Sequence, residues 1–124
     1  MWFHCVSNPP TDFIRKGIEF NEKLIGYADL AGIKEQTAEL GIAIGESKLW
    51  GKGIGYYSAL CIVDYASKKL GITTIIAETH EANIRSIKML EKIGFKEISR
   101  IGNEEYLGTS SKLIQYKLLL NLAN

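Results

Sequence analysis

Leu49-Trp50-Gly51-Lys52-Gly53-Ile54-Gly55 joins an alternating apolar run to a long helical pattern, with glycine at every second position from Gly51. A strand that ends in such a turn and enters a helix directs backbone N–H groups outward without intrahelical partners. Helped by the positive end of the helix dipole, those groups form a place for phosphate. Glycine suits the turn because a Cβ would hold the backbone off an anion, and because positive φ is open to it. Gly-x-Gly-x-Gly by itself is a common surface-turn pattern, so the flanking sequence decides its meaning.

Upstream the period is two. Asp12–Phe20 alternates with Phe13, Ile18 and Phe20, and Asn21-Glu22-Lys23 follows as a hairpin turn. Leu24–Ile33 reads as the next strand, with Gly26 and Gly32 inside it, and Lys34-Glu35-Gln36 turns into Thr37–Ile44. In that last run Leu40, Ile42 and Ile44 share one face, and Glu39, Gly41 and Ala43 the other. The three runs predict an antiparallel meander. Asn8-Pro9-Pro10 breaks any helix, so residues 1–11 read as a lead-in segment.

Downstream the period becomes 3.6. Tyr56, Ala59, Ile62, Val63, Ala66 and Leu70 follow the helical spacing across Gly53–Leu70. Lys68, Lys69 and Gly71 mark the end of that helix. Ile72–Ala77 is a β-branched run fit for a strand buried on both faces. Asn83 is an N-cap for a second helix with Ile84, Ile87, Leu90 and Ile93 on one face, closed by Gly94. Phe95–Ile101 and Lys112–Leu120 read as strands around a polar loop at Gly102–Ser111. The predicted order is β-β-β-α-β-α-β-β in one domain spanning residues 1–124. This is an α/β (α+β) fold, a mixed, mostly antiparallel sheet around a central β-α-β unit whose right-handed crossover makes a parallel pair.

The totals exclude several classes. With 124 residues, 46% of them hydrophobic, the chain can bury one core. A net charge of +1 gives no global field for nucleic acid or an anionic membrane. No apolar run approaches the ~20 residues of a membrane span, and Met1–Ser7 lacks the features of a signal peptide. Cys5 and Cys61 have neither metal-ligand nor redox spacing, and Cys61 reads as a core position, so a reduced, cytoplasmic protein without metal is expected.

Three features stand in order: the alternating strand, the glycine turn into a helix, and His80-Glu81-Ala82-Asn83-Ile84-Arg85-Ser86 leading to Glu91-Lys92-Ile93-Gly94-Phe95. Together they resemble the GNAT superfamily of N-acetyltransferases, which move acetyl from acetyl-CoA to an amine. Trp50-Gly51-Lys52-Gly53-Ile54-Gly55 matches the glycines of that family's phosphate turn, with Trp50 at a position usually Gln or Arg. The Trp-Gly-Lys-Gly form looks like the branch of ribosomal-protein N-terminal and spermidine acetyltransferases. Asn83-x-x-Ser86 followed by Glu-Lys-x-Gly-Phe is a second signature. The resemblance covers roughly Asp12 to Leu120; the family's usual first strand and two helices have no counterpart before Asp12.

The resemblance implies a set of roles. Trp50, Gly51, Lys52, Gly53, Ile54 and Gly55 would hold the pyrophosphate, and the backbone of Ile42 and Ile44 would meet the pantetheine arm. Asn83 would bond the carrier as well as cap its helix. Glu39 is the candidate base that takes the amine proton, with His80, read as a loop residue, as its rival. The family's frequent tyrosine acid is replaced here by Leu90, leaving Ser86, also in the carrier motif, as the candidate acid and Tyr106 as an alternative. Covalent catalysis by Cys61 is disfavoured by its helical position.

The expected activity is direct acetyl transfer to a small amine or a peptide N-terminus; Glu104-Glu105 hints at a polyamine. The alternative is a truncated, catalytically weak domain that binds CoA or serves interaction. A nucleotide-binding turn lacks the Gly-Lys-Ser/Thr needed for Mg²⁺-phosphate chemistry. A sheet face left bare where two helices are expected, with Trp2, Phe3 and Val6, predicts a homodimer.

Overall fold

Two tight turns with left-handed backbone set the first half of the sheet. Asn21 and Glu22 (φ 52° and 62°) join β2 (Ile14–Phe20) to β3 (Lys23–Lys34), and Glu35 and Gln36 (φ 51° and 69°) join β3 to β4 (Thr37–Ile44). Paired positive φ values are those of a type I′ turn, whose twist matches flanking antiparallel strands. The structure, a computed structural model, describes residues 2–5, 12–45, 53–106 and 109–120.

The remaining elements are β1 (Trp2–Cys5), α1 (Ile54–Leu70), β5 (Thr74–His80), α2 (Ile84–Ile93), β6 (Lys96–Tyr106) and β7 (Thr109–Leu119). They build one seven-stranded sheet in the order β1-β2-β3-β4-β5-β7-β6. All neighbours are antiparallel except β4 and β5, the parallel pair implied by the crossover through α1. The mixed, mostly antiparallel α+β class expected from the sequence is the one observed.

Several boundaries differ. The lead-in segment contains a strand: Trp2–Cys5 pairs with Lys16–Glu19, adding a seventh strand to the six expected. The polar stretch Gly102–Ser111 is mostly not a loop. β6 runs on to Tyr106 and β7 starts at Thr109, with Glu104 opposite Ser111. The run expected at Ile72–Ala77 is strand from Thr74 to His80, so His80 ends the strand instead of following it.

One sheet face carries the helices. Ile18, Ala28, Leu30, Ala38, Leu40, Ile75, Ala77, Ile114 and Tyr116 lie buried against Ile54, Ala59, Ile62, Val63 and Ala66 of α1 and Leu90 of α2. Each fully buried Leu or Ile contributes ~1.5–3 kcal/mol relative to exposure, before entropy is subtracted. Lys16 reaches over the Tyr65 ring of α1 at 4.2 Å, the aliphatic stem covering apolar surface. Cys61 is exposed, contrary to expectation, because it is set about 100° around the helix from Ile62. Ile84 is also exposed, at the first turn of α2. The other sheet face is polar across β2 and β3, where Arg15 makes two 2.9 Å bonds to Asp29 and stacks between Phe13 and Tyr27.

Candidate active site at the parting of two parallel strands

β4 and β5 run in register from Thr37 and Thr74 to Leu40 and Ala77, and there the pairing stops. Both strands continue: β4 stays with β3 as far as Ile44, and β5 stays with β7 as far as His80. Two strands leaving a shared register in this way open a wedge between them. Backbone groups alternate sides along a strand. The Gly45 N–H donates to Ile25 O at 2.9 Å on the β3 side. By that alternation the main-chain groups of Ile42 and Ile44 are directed to the β5 side, into the wedge.

Gly26 shapes the β3 side of the wedge. A Cβ there would collide with the Ala43 carbonyl oxygen, so only glycine lets the two strands approach this closely. The side chains of Ile42 and Ile44 remain part of the core, packed on the helix side.

The wedge widens into a cavity of about 860 Å³ bounded by β4, β5, the start of α1 and one side of α2. That volume lies within the range of small-molecule sites. At one end stands the α1 N-terminus. Gly53 is its N-cap, with φ 81°, no side chain caps it, and no acidic residue occupies the first turn. Its first N–H groups are of the kind that bind anions. A Cβ at Gly55 would lie 3.5 Å from Met89 Sδ and 3.9 Å from Ile44 Cδ1, so any longer side chain there would intrude on the cavity.

At the other end α2 begins. Asn83 Oδ1 accepts from the Ser86 N–H at 3.2 Å, the N-cap role expected, and both residues line the cavity. The Asn83 N–H donates to His80 O at 2.9 Å, which ties the α2 start to the end of β5. Arg85, Lys88, Met89 and Lys92 follow on the cavity side of α2, at helical spacing. The Lys92 ammonium sits 4.1 Å above the Tyr56 ring in the first turn of α1.

The sequence candidates are thus partly gathered. Ile42, Ile44, Gly53, Gly55, Asn83 and Ser86 border one cavity, with Ile54 buried beside it. Trp50, Gly51 and Lys52 lie outside the described residues, as does Val6; the side chains of Trp2, Phe3, Glu104, Glu105 and Tyr106 are likewise not described. Glu39 is exposed on the helix-free face, opposite Ile76, where β4 and β5 are still paired, and it does not border the cavity. The carboxylate that does is Glu78, unremarked in the sequence, one residue beyond the last parallel pair and 3.5 Å from Gln115 Nε2. Leu90 is buried at 2% exposure, an apolar wall. Although Cys61 is exposed, partial desolvation by its neighbours and then the Asp64 charge raise its thiol pKa, so that thiol is a weak nucleophile. Among the described residues no His, Cys, Asp and Glu side chains group as metal ligands, and no helix is long and apolar enough to cross a membrane.

Comparison with known proteins bears on this geometry. The GNAT acetyltransferase domain profile matches residues 2–96. A protein of Methanocaldococcus jannaschii described as uncharacterized is 35% identical over 83 residues, covering 67% of this chain and 17% of that protein. The α/β-tubulin-N-acetyltransferase 9 of Mus musculus is 33% identical over 71 residues, covering 56% and 30% respectively. The chain therefore spans a minor part of the curated relatives it matches. Among solved structures, a spermidine N-acetyltransferase variant of Vibrio cholerae superposes with a TM-score of 0.77 at 24% identity, over 88% of this chain and 66% of its own. A probable acetyltransferase superposes with a TM-score of 0.78 at 26% identity, over 88% and 63%. On the profile match, which takes in both parting strands, α1 and α2, this chain belongs to the GNAT family of acetyltransferase domains.

Proposed function

We propose that this domain binds acetyl-CoA along the wedge and transfers the acetyl group directly to a primary amine, either a small amine or a protein N-terminus. The carrying observation is the parting of β4 and β5 after Leu40 and Ala77, which aims the Ile42 and Ile44 main chain at a cavity ending on the uncapped α1 N-terminus. The fit is chemical as well as spatial: main-chain edges suit the amides of a pantetheine arm, and a bare helix N-terminus suits its pyrophosphate. When bound, acetyl-CoA supplies the activated acyl thioester.

The chain's own residues do the positioning. Asn83 and Ser86 orient the acyl end, and the N–H groups after Gly53 take up phosphate charge. An amine attacks only when neutral, so its proton passes to a nearby base, directly or through water; Glu78 and Glu39 are the candidates on the open face near the wedge. Holding both reactants together supplies much of the rate. Ser86, which borders the cavity beside Asn83, is the candidate to give a proton to the departing thiolate. Exposed Ile101 and Leu119 on the helix-free face support a homodimer, and the cysteine usage supports a cytoplasmic setting.

Calorimetry with acetyl-CoA and ATP, followed by thiol release over an amine panel, tests the reading. Binding of acetyl-CoA but not ATP, with amine-dependent thiol release, is expected. Absence of acetyl-CoA binding at millimolar ligand would overturn it. A second reading, CoA binding without turnover, is favoured by the apolar Leu90 in the cavity wall; it predicts binding with no thiol release on any amine.

A further inference from the structure

The cavity wall formed by α2 is cationic in a chain that is almost neutral. Arg85, Lys88 and Lys92 border the cavity, against a single carboxylate, Glu78, among the described lining residues. The whole chain carries a net charge of only +1, so this excess is local. The one acid of α2, Glu91, is not on the cavity side; its charge is felt instead by Tyr116. Positions 85, 88 and 92 recur at three and four residues, which lays the three cations along one stripe facing the cavity.

The stripe has a direction. Asn83 at its start adjoins the β5 end, where the acyl group would lie. Lys92 at its far end is held over Tyr56, in the first turn of α1, 4.1 Å from the ring centroid. Lys88 stands one turn before Lys92 on the same side. The N–H groups that follow Gly53 already offer hydrogen bonds to a pyrophosphate, and no acidic residue competes there. Two ammonium groups beside that end add cationic charge that suits a further phosphate.

Resting on the acetyl-CoA reading above, we infer that Lys88 and Lys92 recognise the ribose 3′-phosphate of the carrier, so that the domain selects CoA thioesters over carriers that lack this group. A phosphomonoester bears up to two charges near neutral pH, and opposite charges at the mouth of a low-dielectric cavity attract more strongly than in bulk water. The cation–π contact keeps the Lys92 ammonium at the cavity mouth before ligand arrives, which lowers the ordering cost of binding. Acyl groups carried on phosphopantetheine alone would then be poor donors.

Calorimetry with CoA and dephospho-CoA, which differ only in the 3′-phosphate, tests this on the wild type and the Lys88→Met/Lys92→Met double variant. Methionine keeps most of the aliphatic stem, and thermal melts of the free proteins check that folding is intact. The wild type is expected to bind CoA about tenfold or more tighter than dephospho-CoA, a preference that shrinks with added salt. In the double variant CoA should fall to the dephospho-CoA level, with dephospho-CoA changed by less than about threefold. Equal affinity of the wild type for both ligands would overturn the inference and leave the acetyl-CoA reading standing. A preference that survives in the double variant would overturn the assignment to these lysines. Binding of neither ligand would remove both readings.

Discussion

Leu40 of β4 and Ala77 of β5 are the last residues to face each other in parallel register, and both are buried on the helix side of the sheet. Their contact is the apex of the wedge. Toward their N-termini the two strands share a ladder; beyond it the Ile42 main chain faces a space that a ligand can enter. A sheet that parts internally exposes backbone edges where most folds expose them only at the rim. The site is thus a consequence of topology first and of side chains second.

Gly55 tests whether that space matters. Its backbone is in α1 and its φ is not positive, so a larger residue there brings no left-handed strain. Gly55→Leu should leave thermal stability within about 1 kcal/mol, helix propensity offsetting crowding. A branched side chain growing past Met89 and Ile44 fills the cavity instead. Acetyl-CoA affinity should fall at least tenfold by calorimetry, about 1.4 kcal/mol. Unchanged affinity in a well-folded variant would place the ligand elsewhere.

The β3–β4 turn is expected to be a source of easy stabilisation. Glu35 and Gln36 both hold positive φ, which costs a residue with a Cβ on the order of 1 kcal/mol. The Gln36 carbonyl accepts from the Thr73 and Thr74 N–H groups at 2.8 and 3.1 Å, so the turn is pinned to the start of β5 and the strain cannot relax. Replacing the pair with Asn-Gly keeps that carbonyl and removes the penalty. Chemical denaturation should show a gain of about 1 kcal/mol; a loss would mean the Gln36 side chain contributes something beyond its backbone.

Tyr116 gives an alkaline signature. Burial between β5 and β6 raises its phenol pKa, Glu91 and Glu97 push the same way, and Arg100 opposes them. The unfolded phenol ionises near about pH 10. A group whose folded pKa lies above its unfolded one contributes stability that is full below the unfolded pKa and is lost as pH rises through the folded pKa. Melting temperatures between pH 8 and 11.5 should therefore fall more steeply for the wild type than for Tyr116→Phe above about pH 10. Parallel curves would show that the phenol ionises without feeling the fold.

Much of this frame was legible in the chain because periodicity and glycine spacing are local signals. Thr37–Ile44 showed its buried and exposed faces, Gly71 and Gly94 closed their helices, and Asn83 announced its cap. What escaped depends on distant partners. Trp2–Cys5 is too short for a period of its own and becomes a strand only by pairing with β2. Gly102–Ser111 is mostly polar, and polarity does not stop a backbone ladder from forming: Glu104 pairs with Ser111 and Glu105 with Ser110. Adjacency to Leu60 and Ile62 made Cys61 look buried, whereas a helix buries by angle and not by neighbour. No local signal says where two strands part, so nothing in the chain marks Glu78 as a residue of the wedge, whereas Glu39 stands out as a candidate base on the exposed face of its strand.

That pair of carboxylates can be separated by experiment. Glu39 is opposite Ile76, within the paired ladder, while Glu78 is past its end and borders the cavity. Both are on the helix-free face, the side from which an acceptor would approach an acyl group lying along β4. A proton acceptor must come within hydrogen-bond reach of the amine, directly or through one water. Glu78→Gln keeps the shape and the amide can still meet Gln115, so folding should be preserved. On the best acceptor from the amine panel, it should lower kcat by about 10²-fold. Glu39→Gln should change kcat by less than about fivefold. The reverse ranking would return the proton-accepting role to Glu39 and require the acceptor to lie over the paired part of the sheet; equal, small effects would mean that water carries the proton away without either side chain.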